Sequence, residues 1–308
     1  MNASMQRRQF LKRSLGLTAA SAAVSAIPAS ALAQGKVVRQ AGARLKLGLN
    51  AYSFNKPLVD GSMTLMDLVK YCAQHGLDSL DATGYYFPGY PKVPSDDYIH
   101  GLKRQAFLNG VPISGTGVRN DFTLPDAARR KSEVQLVKDW IEVAAKLGAP
   151  VIRVFTGPKV PDGHSFAQVL EWMVPDFKEC AAYGKRHGVI VGLQNHNDFV
   201  KTADETIRVV NAVDSEWFGV ILDVGSLRQG DPYEEIEKLL PYAVSWQLKE
   251  LVGYGTKEVA TDLRKVKAII DKGGYRGPLP IETLGQGDPR VKVAAFVEQI
   301  RAVFTSLA

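Results

Sequence analysis

The sequence predicts an α/β protein folded as a single (β/α)8 TIM barrel. The chain has 308 residues, and eight short apolar runs, often rich in Val or Ile, recur along it at intervals of 25 to 39 residues. An amphipathic stretch of helical period follows each run. Strands that alternate with helices form a parallel sheet, and eight such units over about 260 residues close into a barrel. The runs begin near Lys46, Leu77, Val111, Pro150, Gly188, Phe218, Ala243 and Gly277.

Residues typical of helix ends mark the boundaries of the predicted helices. Thr202 and Glu205 have the spacing of a capping box, and Asp231-Pro232 and Asp288-Pro289 place a proline behind a capping aspartate. Glycines that are expected to end helices are Gly76, Gly110, Gly148, Gly188 and Gly274. The alternative fold is an open doubly wound sheet, which the lack of a G-x-G-x-x-G turn after the first strand disfavours.

The composition is that of an ordinary globular protein, with 45% hydrophobic and 23% charged residues. It excludes a collagen-like, coiled-coil or mostly disordered chain. Two cysteines are too few for a disulfide scaffold. Cys72 and Cys180 fall in predicted helices, so we expect buried free thiols.

The first 33 residues read as an export address. Arg7 and Arg8 lie in a basic segment, an apolar run from Leu15 to Ile27 follows, and Ala31-Leu32-Ala33 forms a small-x-small cleavage site. This arrangement resembles a bacterial twin-arginine signal peptide. It implies export to the periplasm through the twin-arginine translocase, with cleavage after Ala33. An amphipathic first helix and a retained membrane anchor are the alternatives, and both are disfavoured by the short, uncharged run that ends at Pro28.

The net charge of +6 is concentrated at the N-terminus. Residues 1–33 contain four basic side chains and no acid, and the predicted basic linker, residues 34–44, adds three more. The predicted barrel, residues 45–308, therefore carries about −1, and nucleic acid is not expected as a partner. For the same reason we disfavour a nuclease that acts on abasic sites in DNA.

Polar side chains end four of the predicted strands. Gln194 and His196 share one face of the fifth strand, as do Gln247 and Lys249 on the seventh. Asp223 and Glu282 each end an apolar run. Because a buried charge needs a partner, these carboxylates require a cation, which a metal ion, Lys249 or Arg153 could supply.

The segments Gly192–His196, Leu222–Gly225, Trp246–Glu250 and Ile281-Glu282 resemble those of the xylose isomerase-like TIM-barrel superfamily of sugar isomerases and epimerases. The resemblance covers nearly all of residues 45–308. It implies one divalent metal ion held through Glu, Asp, His and Glu, with the two glutamates moving protons on either side of a substrate carbon. The corresponding metal positions here are Gln194, Asp223, Gln247 and Glu282.

Two of these four positions depart from the family pattern. Gln194 replaces a glutamate and Gln247 replaces a histidine. Amide oxygens still suit a hard cation, so the expected metal is Mn²⁺, Mg²⁺ or Ca²⁺. Gln194 cannot serve as a base, and the two-glutamate proton relay is therefore incomplete.

Other residues near the strand ends are candidates for the missing roles. Expected catalytic residues are Glu282, His196 as a general acid or base, and Lys249 as a group that polarises a carbonyl or neutralises an enolate. Roles in substrate binding are expected for Tyr52, Tyr86, Arg119, Arg153 and Asn195.

These residues predict a periplasmic sugar isomerase or epimerase that abstracts a proton next to a carbonyl of a sugar or keto-sugar, with assistance from a divalent metal. Two alternatives stay open. One is a lyase or hydratase that carries out a one-base elimination on a keto-sugar or keto-glycoside, and the other is a non-catalytic sugar-binding protein on a degenerate isomerase scaffold. The sequence leaves the oligomeric state open, including a homo-oligomer.

Overall fold

The computed structural model describes residues 36–39 and 42–304 and confirms the predicted barrel. Eight parallel strands close into a barrel in the order β1-β10-β7-β6-β5-β4-β3-β2. These strands are β1 (Arg44–Asn50), β2 (Ser79–Thr83), β3 (Ile113–Gly117), β4 (Val151–Val154), β5 (Ile190–Gln194), β6 (Phe218–Asp223), β7 (Ala243–Lys249) and β10 (Arg276–Glu282).

Helices follow the strands and pack around the barrel. They are α1 (Asn55–Val59), α2 (Leu65–Gln74), α3 (Asp96–Leu108), α4 (Ala127–Leu147), α5 (Phe166–His187), α6 (Ala203–Val213), α7 (Pro232–Leu239), α8 (Leu263–Gly273) and α9 (Pro289–Val303). Within the described residues, no helix has the length and apolar character needed to cross a membrane.

The predicted helix boundaries are confirmed where capping residues mark them. Thr202 forms a full capping box with Glu205, and Asp231 and Asp288 cap the helices that begin with the prolines after them. All five predicted glycines adopt the left-handed conformation just past a helix, with Gly148 at φ 79° as an example. Local sequence therefore determines where these helices end.

The main core lies between the barrel and its helices. Trp140 of α4 and Trp246 of β7 are among the largest fully buried side chains. Cys72 of α2 and Cys180 of α5 are buried free thiols, as expected, and burial raises the pKa of both.

A β-hairpin after β7 was not predicted. β8 (Leu251–Tyr254) pairs antiparallel with β9 (Lys257–Ala260) outside the barrel. It packs beside the loop that follows β6, where Arg228 forms an ion pair with Glu258 and the Arg228 carbonyl accepts a hydrogen bond from the amide of Gly255 at 2.9 Å. The hairpin thus extends one wall of the barrel mouth.

Part of the predicted linker is bound to the base of the barrel. The Val37 amide donates a hydrogen bond of 2.8 Å to the carbonyl of Pro241, and the Arg39 guanidinium lies 5.1 Å from the ring centroid of Tyr275. The first strand begins at Arg44, one residue before the predicted boundary. The predicted signal peptide, residues 1–33, lies outside the described residues and stays a prediction.

Candidate active site

Gln194, Asp223, Lys249 and Glu282 are the last residues of their strands, so the barrel brings them together at its carboxyl-terminal mouth. A cavity of about 440 Å³ opens there. Predicted site residues that line this cavity are Tyr52, Arg119, Arg153, Gln194, His196, Gln247, Lys249 and Glu282.

Asp223 is the centre of the polar network. Its side chain is completely buried, and its Oδ2 accepts hydrogen bonds from Gln194 Nε2 at 2.6 Å, Lys249 Nζ at 2.7 Å and Ser226 Oγ at 2.8 Å. Its Oδ1 accepts a bond of 3.0 Å from the Gly225 amide. Burial is the largest effect and would raise the pKa of Asp223, but the charge and hydrogen bond of Lys249, the charge of His196 and the hydrogen bond of Ser226 together outweigh it and lower the pKa below its usual value.

Lys249 bridges the two carboxylates that the sequence analysis paired with a cation. Its Nζ lies 2.7 Å from Asp223 Oδ2 and 3.2 Å from Glu282 Oε1. Burial disfavours the ammonium form, but Asp223 and Glu282 overcome this effect and raise the pKa of Lys249. Gly225 makes room for the lysine, because a Cβ there would lie 2.6 Å from Lys249 Cδ.

The Asp223 carboxylate also fixes the orientation of the side-chain amides of Gln194 and Gln247. Asp223 can only accept hydrogen bonds, so Gln194 presents its Nε2, which also donates to Gln247 Oε1 at 2.7 Å. Gln247 Nε2 is buried without a hydrogen-bond partner among the described residues. Gln247 also lines the cavity, but its Nε2 has no exposed surface, so a ligand oxygen reaches this donor only after the side chain moves.

The four positions that correspond to the family's metal ligands converge, but they do not fit a divalent ion. Three donors occupy Asp223 Oδ2, and the Lys249 ammonium already bridges Asp223 and Glu282. Both glutamines direct amide groups into the network in a way that suits hydrogen bonding and not ligation. In the described part of the chain, no group of three or more His, Cys, Asp or Glu side chains is arranged to hold a metal ion.

His196 forms a pair with Asp198, a residue that the sequence analysis did not single out. His196 Nδ1 lies 2.8 Å from Asp198 Oδ2, and the ring meets Phe155 edge-on at a centroid distance of 5.2 Å. Asn197 between them has a φ of 59°, which turns the chain so that the aspartate reaches the histidine. Asparagine tolerates this left-handed conformation better than most residues, so the His-Asn-Asp sequence could have predicted a turn that pairs His196 with Asp198.

A second pair of buried charges lies beside the first network, and one of them, Arg153, lines the cavity. Arg153 of β4 and Asp81 of β2 are buried within the barrel, and Gly115 and Gly117 of β3 leave room for them. Burial disfavours the Arg153 cation, but Tyr85, Asp81 and Glu282 raise its pKa overall. Burial raises the pKa of Asp81 to about 6, although Arg153 opposes the shift.

Two predicted substrate-binding residues have other contacts. Asn195 bonds to the backbone of Asp223 with both ends of its amide, at 2.9 Å each, and so ties β5 to β6. The Tyr86 hydroxyl donates a bond of 2.8 Å to Asn55 Oδ1, and Tyr85, its neighbour, lines the cavity instead. Both polar atoms of the Asn195 amide already have backbone partners, and its role in substrate binding stays a prediction.

A second compartment of about 470 Å³ adjoins the first. The two compartments share His196, Lys249 and Glu282 in their walls. The hairpin contributes Leu251 to the second compartment, and Leu284 borders both. The candidate catalytic groups therefore lie between two spaces.

This architecture is similar to that of known proteins. The family model described as xylose isomerase-like TIM barrel matches residues 69–302. Solved structures of similar fold include the 3-keto-D-glucoside 4-epimerase YcjR from E. coli, which is 14% identical with a TM-score of 0.68 and covers 84% of this chain and 100% of its own.

Another is D-psicose 3-epimerase from Clostridium cellulolyticum H10, solved with D-tagatose. It is 18% identical with a TM-score of 0.66, over 84% of this chain and 99% of its own. A third is the IolI protein with a bound zinc atom, 17% identical with a TM-score of 0.67, over 85% of this chain and 96% of its own. No curated protein sequence matches the chain. At these identities the structural likeness shows a shared fold.

Proposed function

The chain belongs to the xylose isomerase-like TIM barrel family, and from this premise we propose that it is a sugar-directed enzyme that removes a proton from a carbon next to a carbonyl. Two structures of the same fold are described as epimerases of a sugar and of a keto-glucoside, which supports a substrate of this class. The proposal rests on one observation in this chain: a histidine–aspartate pair that faces a cavity lined by fixed hydrogen-bond donors.

His196 is the proposed base. Asp198 Oδ2 accepts a hydrogen bond from the N–H at His196 Nδ1, so the lone pair of the neutral ring is on Nε2 and is available for proton transfer. The developing enolate oxygen would be stabilised by the Lys249 ammonium, which lines the cavity. No step in this scheme passes through a metal ion, because the residues present do not fit one.

The geometry favours proton transfer by a single base. Gln194 cannot accept a proton, and Glu282 is engaged by Lys249 through Oε1. Epimerisation by two bases on opposite faces is therefore disfavoured. Isomerisation between adjacent carbons with one base remains consistent with the site.

A second candidate is elimination from a keto-glycoside, and the two adjoining compartments favour it. The proton would pass from the carbon next to the carbonyl to His196, and its electron pair would form the enolate. The enolate would then re-form the carbonyl and expel an alkoxide from the next carbon, which recovers the proton from His196. Lys249 and Glu282 border both compartments, so a sugar in one and its leaving group in the other would place the broken bond beside these residues.

The test is exchange of solvent deuterium into a panel of keto-sugars and keto-glycosides, followed by product analysis. We expect wild-type exchange, and a loss of about 100-fold or more in His196→Asn. His100→Asn is the matched control, because His100 is exposed on α3. Retained activity in His196→Asn would refute the assignment of the base. Sugar binding without exchange or turnover would identify a binding protein instead.

We further propose that the protein acts in the periplasm after export by the twin-arginine translocase. The support is the sequence of residues 1–33. Replacing Arg7 and Arg8 with lysine should leave the protein in the cytoplasm, as cell fractionation would show. Unchanged periplasmic recovery of this variant would contradict the proposal.

A further inference from the structure

We propose that the Lys249 ammonium is the resident cation of this site and takes the place of a divalent metal ion between Asp223 and Glu282. The inference concerns ion binding and does not depend on the proposed function, because its readout is ion binding and not turnover. Three features of the site support it.

The first feature is the saturation of Asp223. Three donors converge on Oδ2, an oxygen with two lone pairs, and the Gly225 amide binds Oδ1. A metal ion would have to displace charge-assisted hydrogen bonds from a completely buried carboxylate. Such bonds in a dry interior are costly to break.

The second feature is the position of the ammonium. Lys249 Nζ lies within hydrogen-bonding distance of one oxygen of each carboxylate, which is where an ion shared by both would bind. A divalent ion there would lie a few ångströms from a like charge in a site of low dielectric.

The third feature is that the lysine is held in place. The Thr261 hydroxyl donates a bond of 2.7 Å to the Lys249 carbonyl, and Gly225 leaves a space that the lysine stem fills. The side chain is only 11% exposed. Packing and hydrogen bonding thus build the cation into the fold.

The test uses the purified full-length protein treated with EDTA and titrated with Mn²⁺ alone, with free Mn²⁺ followed by electron paramagnetic resonance. We expect no saturable binding by the wild type. Lys249→Ala removes the ammonium and leaves Asp223 and Glu282 unpaired, so it should bind one Mn²⁺ per chain, half-saturated at a concentration at least about 100-fold below the highest that leaves the wild type unbound. Lys257→Ala is the matched control, because Lys257 is exposed on the hairpin, and it should behave as wild type.

Stoichiometric Mn²⁺ binding by the wild type would overturn the proposal, and so would a folded Lys249→Ala protein with no gain in affinity. If Lys249→Ala does not fold, Lys249→Met keeps the volume of the stem and replaces it in the titration. Addition of Mn²⁺ should then raise the melting temperature of the methionine variant and leave that of the wild type unchanged. A rise in the wild type alone would overturn the proposal as well.

Discussion

Asp81 should weaken the fold at neutral pH, and its replacement with Asn should strengthen it. The buried charges at the barrel mouth are the carboxylates of Asp81, Asp223 and Glu282 and the cations of Arg153 and Lys249. Their sum is −1 when Asp81 is ionised and zero when it is protonated. Ionisation of Asp81 thus adds an unbalanced negative charge to a buried group of side chains. Burial raises the pKa of Asp81 from 3.8 to about 6, with Glu282 adding to the shift and Arg153 opposing it.

The size and sign of the effect follow from this shift. An acid whose pKa is higher in the folded state than in the unfolded chain loses stability as the pH rises between the two values. For Asp81 this window runs from 3.8 to about 6, and the full loss of about 3 kcal/mol applies above it. Asn carries no charge at any pH. Asp81→Asn should therefore raise the free energy of unfolding by up to about 3 kcal/mol at pH 7.5 and by little at pH 4.

Urea denaturation of wild type and variant at both pH values measures this difference. Asp162→Asn is the matched control, because the Asp162 side chain is 96% exposed, and it should show no such pH dependence. The reasoning is refuted if Asp81→Asn changes stability equally at the two pH values, or if it is less stable at pH 7.5 than at pH 4 relative to wild type.

Two further substitutions test the site. Gly225→Ala places a Cβ 2.6 Å from Lys249 Cδ, so urea denaturation should show that the free energy of unfolding falls by about 1–3 kcal/mol. The control Gly101→Ala in helix α3 should raise the free energy of unfolding by about 0.5–1 kcal/mol, and equal effects of the two substitutions would contradict the close contact. Asp198→Asn should lower kcat for deuterium exchange by about 100-fold with KM unchanged, since His196 loses the partner that fixes its tautomer. An unchanged kcat would show that the pair has no part in proton transfer.

The barrel could be predicted because its determinants are local. Apolar runs set the strands, and capping residues such as Thr202 and Gly148 set the helix ends. The hairpin was missed because Leu251 follows the end of β7 after a single residue, so no turn signal separates the two strands. Gly255-Thr256 between two short strands was the available hairpin signal.

The residues of the candidate site could also be predicted, but the cation that pairs with its carboxylates could not. Strand ends and the family resemblance identified Gln194, Asp223, Gln247 and Glu282, and the barrel does bring them together. Which cation joins the carboxylates depends on where the Lys249 stem passes, and this depends on the space left by Gly225. The path of a side chain through the packed core cannot be predicted from the residues that end the strands.

The departures from the family pattern form a consistent set when their charges are compared. Three carboxylates, a neutral histidine and a divalent ion, which the resemblance implies, carry −1 in total. Two carboxylates, two neutral glutamines and the Lys249 ammonium also carry −1. Random loss of a metal site would leave buried carboxylates without a partner, at a cost of several kcal/mol. Here Asp223 and Glu282 remain paired through Lys249, so the substitutions preserve the charge balance of the site.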